Sequence, residues 1–126
     1  MDTNGNTKEL LIKDLSSRLP YGVKIELTWW GMGEGAYTNT TLEPDHIEQL
    51  LKDEDGDIES KPYLFPLSNM NEEQIKVYHE LIKGMFGTSA LINFEVLTDF
   101  FNSNHLDYRG LIKRGLAIDA TGLNIY

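Results

Sequence analysis

Apolar and polar positions alternate in two distinct rhythms along the chain. Over residues 7–19, Leu11, Leu15 and Leu19 recur every four positions with Leu10 and Ile12 beside them, which is the stripe of an amphipathic helix. Thr7 suits its N-cap, and Pro20 ends it, because proline lacks an amide proton and disfavours helical geometry in the residue before it. The period then drops to two. Val23, Ile25, Leu27 and Trp29 fall on one face of residues 23–30, and Lys24, Glu26, Thr28 and Trp30 on the other, which predicts a half-buried strand. Gly31, Gly33 and Gly35 supply a turn, and the threonine-rich residues 37–42 suit a returning strand.

Residues 43–52 fit either element. Pro44 suits a first helical position, and Ile47, Leu50 and Leu51 have helical spacing, yet a strand is compatible as well. A charged turn around Gly56 follows. Residues 58–67 then form an extended segment whose Pro62 and Pro66 favour a sheet edge over its centre. Asn71 and Gln74 make a capping-box pattern ahead of Ile75, Tyr78, Leu81, Ile82 and Met85, a helix bracketed at its end by Gly84 and Gly87. A short apolar piece at 90–94 precedes a second helix with Val96, Leu97, Phe100 and Phe101, ended by residues 102–104. From Asp107 onward, Gly110, Gly115 and Gly122 break the apolar positions into short segments that depend on tertiary packing.

These elements predict an α+β fold: an N-terminal helix, a small curved antiparallel β-unit open to closure as a partial barrel, two core helices and an irregular C-terminal tail. With 126 residues, the chain is a little under one domain at about 150 residues per domain. Residues 1–6 read as a flexible tail and 7–126 as a single domain.

Charge sharpens the picture. Residues 43–59 carry eight acids (Glu43, Asp45, Glu48, Asp53, Glu54, Asp55, Asp57, Glu59) against Lys52, so most of the net charge of −9 is local. Nucleic-acid binding is not expected, because phosphate affinity needs clustered cations and the one small basic patch is Arg109, Lys113 and Arg114. That patch can face the acidic segment within one molecule or between two, which leaves homo-oligomerisation open. The absence of cysteine removes disulfides and thiolate chemistry and fits a reducing compartment. The polar N-terminus has no signal-peptide pattern, and no apolar run approaches the roughly 20 residues of a membrane helix, so a cytoplasmic protein without membrane contact is expected.

Three segments, LPYGVKIEL, KPYLFPLSNMNEEQ and DYRGLIKRGLAIDATGLNIY, resemble small uncharacterised proteins of gut commensal bacteria and their phages and prophages. The resemblance departs over residues 29–57. It implies a bacterial or phage cytoplasm, with PYGVK and the segment ending in KPYL as the outer strands of a small β-unit followed by helices, and it implies no activity, catalytic residue or ligand.

Candidate chemistry is sparse. Asp53, Asp55 and Asp57 have the alternating carboxylates of a calcium loop, but Gly56 stands fourth where sixth is needed, Ile58 takes the glycine position and Leu64 the place of the bidentate Glu. A solvated turn is favoured. Gly31, Gly33 and Gly35 lack the lysine and hydroxyl of a phosphate loop, and no serine lies in a nucleophile elbow. His46, His79 and His105 have no mutual metal-ligand spacing. His46 sits among acids that favour its protonated form, and His105 follows a helix end, where the macrodipole favours a cation.

No catalytic residue, metal ligand or cofactor is therefore assigned. Aromatic and thioether side chains carry more weight: Trp29, Trp30, Met32 and Tyr37 gather around one hairpin tip, and such residues are enriched where proteins dock. The expected function is a non-enzymatic protein–protein interaction module that uses this tip together with Asp53, Asp55 and Asp57, toward a protein partner that the residues do not specify. The alternative is a divalent-metal-dependent hydrolase using residues 53–59 with His46.

Overall fold

The computed structural model describes residues 4–29, 36–54, 56–84 and 90–126. The chain forms α1 (Asn4–Arg18), β1 (Lys24–Trp29), β2 (Ala36–Thr41), α2 (Pro44–Lys52), β3 (Ile58–Leu64), α3 (Glu72–Gly84), α4 (Ala90–Ser103) and β4 (Ile118–Asp119). This is the α+β architecture that the two periodicities predict. The sheet is open and its order is β2-β1-β3-β4. β1 pairs antiparallel with β2 and β3, which is the expected antiparallel unit, and β4 joins β3 in parallel, so the sheet as a whole is mixed.

The helix expected from Thr7 begins at Asn4, which leaves Thr7 inside α1 and not at its cap. Its inward face is Leu11, Asp14, Leu15 and Arg18, all buried and spaced as one helical stripe. The helix gives way to a short 3-10 turn, Leu19–Tyr21, that contains Pro20. Gly22 follows with φ 70°, a left-handed conformation that costs glycine little. Residues 43–52 resolve as helix. Pro44 occupies the first helical position, and the Glu43 N–H donates to His46 Nδ1 at 2.9 Å, satisfying a backbone donor at the helix start.

The outer-strand expectation is overturned. PYGVK leads into β1 and KPYL ends β3, and these two strands are neighbours in the middle of the sheet, with β2 and β4 outside. The edge character of the proline-bounded segment survives only in part. β4 runs beside Tyr63 and Leu64 alone, so β3 is internal there, while Ile58 to Pro62 has a strand neighbour only on the β1 side among the described residues. Pro62 thus falls where no second strand requires its missing N–H.

One core fills the face of the sheet beneath α1 and α2: Leu11, Leu15, Val23, Ile25, Leu42, Leu50, Leu64, Leu111 and Ala117. A smaller cluster joins Leu97 and Phe101 of α4 to Leu106, with Tyr78 and Leu81 of α3 packed against it. The capping box at the start of α3 forms as expected, with Asn71 and Gln74 exchanging backbone-to-side-chain bonds of 2.9 and 2.8 Å. The apolar piece at 90–94 is the beginning of α4 and not a separate segment. After α4 the chain folds back through turns. Buried Asp107 accepts from the Leu111 and Ile112 N–H groups at 2.8 and 2.9 Å, which fixes the loop that delivers Leu111 to the core.

Candidate functional site

The described surface has an open cleft of about 610 Å³ between α1, α2, the start of β3 and the C-terminal turns. Leu11, Leu50, Ile58 and Leu116 give it an apolar lining, and Asp53, Glu54, Glu59, Lys8 and Lys61 bring charge to it. Ser60 also lines it, fully enclosed, and its hydroxyl has no hydrogen-bond partner among the described residues. The strand rhythm explains the arrangement. Ile58 and Ser60 oppose Trp29 and Leu27 in register and so share the face of β3 that meets the helices.

The cations here are committed to neighbours. Lys8 Nζ donates to the Asp53 carbonyl at 2.5 Å, and Lys61 pairs with Glu59 at 3.1 Å. Asp53 is a structural cap. Its two carboxylate oxygens accept the Asp57 and Ile58 N–H groups at 3.0 and 2.9 Å, which closes the turn and starts β3. Glu54 and Asp57 are exposed on that turn. On α2, Glu48 and Lys52 pair at 2.7 Å; the hydrogen bond and charge of Lys52 hold Glu48 below the usual carboxylate range, and Glu48 raises Lys52. Both are solvent-exposed, and Leu51 beside them is 61% exposed.

The expected interaction residues fall around this cleft unevenly. Trp29 ends β1, half-buried, with Ile58 of the cleft directly opposite. Trp30, Met32 and Asp55 lie outside the described residues. Tyr37 is placed by its register opposite Thr28, and its side chain lies outside the described set. In the basic patch, Arg109 turns inward: its Nη1 stands 3.3 Å from Asp14 and its guanidinium 4.8 Å from the centre of the Tyr108 ring. Lys113 and Arg114 are exposed and immediately precede Gly115 and Leu116 of the cleft wall.

The residues of the metal-hydrolase alternative are not drawn together. His46 begins α2 and Asp53 follows its last turn, a separation of about 10 Å at the helical rise per residue. His46 Nδ1 and both Asp53 oxygens already accept backbone N–H groups. Among the described residues, no three His, Asp or Glu side chains form a metal-holding group.

His105 departs from its expected cationic role. Burial, and then the nearby Arg18 charge, push its pKa down to about 4, so it is neutral at pH 7, stacked on Tyr126 with ring centres 3.8 Å apart. Its backbone is left-handed, with φ 56°. Tyr126 in turn spans the end of the sheet. Its hydroxyl donates to the Tyr63 carbonyl at 2.7 Å and accepts the Lys24 N–H at 2.8 Å, and burial holds its phenol up at about 12.

Two features escaped the sequence reading. One is the cleft, assembled from segments far apart in the chain. The other is the enclosed ion pair of Asp14 and Arg18, 2.8 Å apart with both side chains fully buried, whose i, i+4 spacing on the Leu11 and Leu15 face was the available signal. No helix among the described residues is long and apolar enough to cross a membrane. No protein-family model, curated protein or solved structure matches the chain.

Proposed function

We propose that the protein is a non-enzymatic interaction module of a bacterial or phage cytoplasm, which docks a basic segment of a partner protein across the α2–β3 face. The observation that carries this reading is the joining of two features at one place. The stretch that holds most of the net charge borders an open cleft with an apolar lining. Apolar contact gives a partner side chain somewhere to be buried, and the surrounding carboxylates select for cations and speed encounter. Trp29, opposite Ile58, lies on the same face of the sheet as the cleft and belongs to the proposed contact. Lys113 and Arg114, exposed next to Gly115 and Leu116 of the cleft wall, favour a partner that carries some acids of its own.

The test is affinity capture from host lysate, followed by reconstitution with the purified partner, comparing wild type with the double variant Glu54→Lys, Asp57→Lys. Both side chains are exposed, so the fold is expected to be retained. A basic protein held stoichiometrically at about 0.15 M salt and released as screening shortens the Debye length is the expected result, with capture lost in the charge-reversed variant. Equal capture by both proteins, or none by wild type, rejects the reading.

A further inference from the structure

We infer that β2 is a self-association edge, along which a second copy of the chain adds its own β2 in antiparallel register. In the β1–β2 ladder the Leu42 N–H donates to the Val23 carbonyl at 2.8 Å, one step past the pair Lys24↔Thr41. Because backbone groups alternate sides along a strand, Ala36, Thr38 and Thr40 turn theirs toward β1, and Tyr37, Asn39 and Thr41 turn theirs away. Those outward N–H and C=O groups have no partner among the described residues, and Asn39 and Thr41 are exposed.

The composition of this edge is unusual for one left open. Ala36–Thr41 reads AYTNTT, with neither a charge nor a proline, the two devices that most often prevent strand addition. The opposite margin of the sheet differs: β4 is two residues long, and Ser60 and Pro62 on the unpaired side of β3 are fully buried. In a chain of net charge −9, β2, the longer of the sheet's two outer strands among the described residues, is also a stretch where a second copy meets no carboxylate on the strand itself. The outward groups are self-complementary. Centring the pair on Asn39 sets Tyr37 against Thr41 of the second copy and Thr41 against Tyr37, so that all the outward groups engage in roughly six hydrogen bonds. The operation is a two-fold, which closes at a dimer.

A contact of one short strand per copy falls below the ~1,200 Å² of stable interfaces, which makes the dimer weak and concentration-dependent. Repulsion between two copies of net charge −9 weakens it further at low ionic strength, so added salt strengthens it. Docking of a basic partner has the opposite salt dependence, and failure of either reading is therefore distinguishable from failure of the other.

The experiment is sedimentation equilibrium of the full chain from about 10 µM to about 1 mM, the span of weak affinities, at low and moderate salt, with amide exchange read by NMR over the same range. The expected result is a monomer–dimer equilibrium favoured by salt, with protection that rises with concentration at Tyr37, Asn39 and Thr41 while Thr38 and Thr40 stay unchanged. Asn39→Pro removes the central outward N–H without touching the β1 ladder and is expected to abolish the dimer. Asn39→Ala gives up the Tyr63 hydroxyl contact but retains the N–H, and is expected to dimerise like wild type. A monomer throughout, a dimer unaffected by Asn39→Pro, or concentration-dependent protection located elsewhere overturns the inference.

Discussion

Asp14 illustrates how much one side chain can govern in this fold. Its carboxylate meets Arg18 Nε at 2.8 Å and Arg109 Nη1 at 3.3 Å, and Arg18 continues to the Leu106 carbonyl at 2.8 Å and over the Tyr108 ring. The α1 helix is thereby tied to the C-terminal turns by charge as well as by packing. Removing one member of an enclosed pair strands the other without compensation, which costs about 3–5 kcal/mol, a large share of the ~5–15 kcal/mol that keeps a typical domain folded. Asp14→Ala is accordingly expected to lower the urea midpoint severely, whereas Arg109→Ala, whose side chain keeps some solvent contact, lowers it slightly. Replacing both partners, Asp14→Leu with Arg18→Met, is expected to recover most of the loss, because the desolvation penalty disappears with the charges. If the double variant is as unstable as Asp14→Ala, the pair is not the source of the effect.

At the level of elements, Tyr126 acts as the end stop of the central strands. Lys24 and Tyr63 would be the next pair in the β1–β3 register after Ile25↔Pro62, and the phenolic oxygen occupies the gap between their backbone groups. Tyr126→Phe keeps the ring against Phe65 and His105 but leaves one N–H and one C=O without their partner, a cost of about 1–3 kcal/mol. Faster exchange of the Lys24 amide, with the rest of β1 unchanged, is the expected signature; an unchanged Lys24 amide counts against the end-stop role. This contact was not legible in the sequence, since nothing local to Tyr126 points to residues 24 and 63. The elements that were legible carry their own period or cap: Val23, Ile25 and Leu27 for β1, and Asn71 with Gln74 for α3. Residues 43–52 were undecided because Pro44 and three apolar positions satisfy either template; burial of Leu50 against α1 and β3 selects helix. β4 was missed because two residues have no period, and its place depends on the Leu64 carbonyl that accepts the Ala120 N–H at 2.8 Å. The cleft was invisible for the same reason, since Leu11, Leu50, Ile58 and Leu116 meet only after the sheet and helices pack.

The whole molecule inherits a pH window from its C-terminal pair of rings. His105 has a folded pKa of about 4 against an ordinary value of 6.5, so between those values the unfolded chain binds a proton that the folded chain refuses. Folding stability therefore rises with pH through that interval, is complete above about 6.5, and is lost as pH falls toward 4. Tyr126 acts at the other end. Its phenol titrates at about 12 in the fold and at 10.0 ordinarily, so the folded state retains a proton that the unfolded state has released, and stability declines as pH climbs from 10 toward 12. Carboxylates also titrate on the acid side, and a single variant separates their contribution. Asn tolerates the left-handed backbone at position 105 and has no proton to gain, so His105→Asn is expected to flatten the fall in Tm between pH 6.5 and 4.5 relative to wild type while leaving the alkaline limb in place. Parallel profiles for the two proteins across that acid interval would mean that the ring is not held neutral by its surroundings, and that the acid limb belongs to the carboxylates alone.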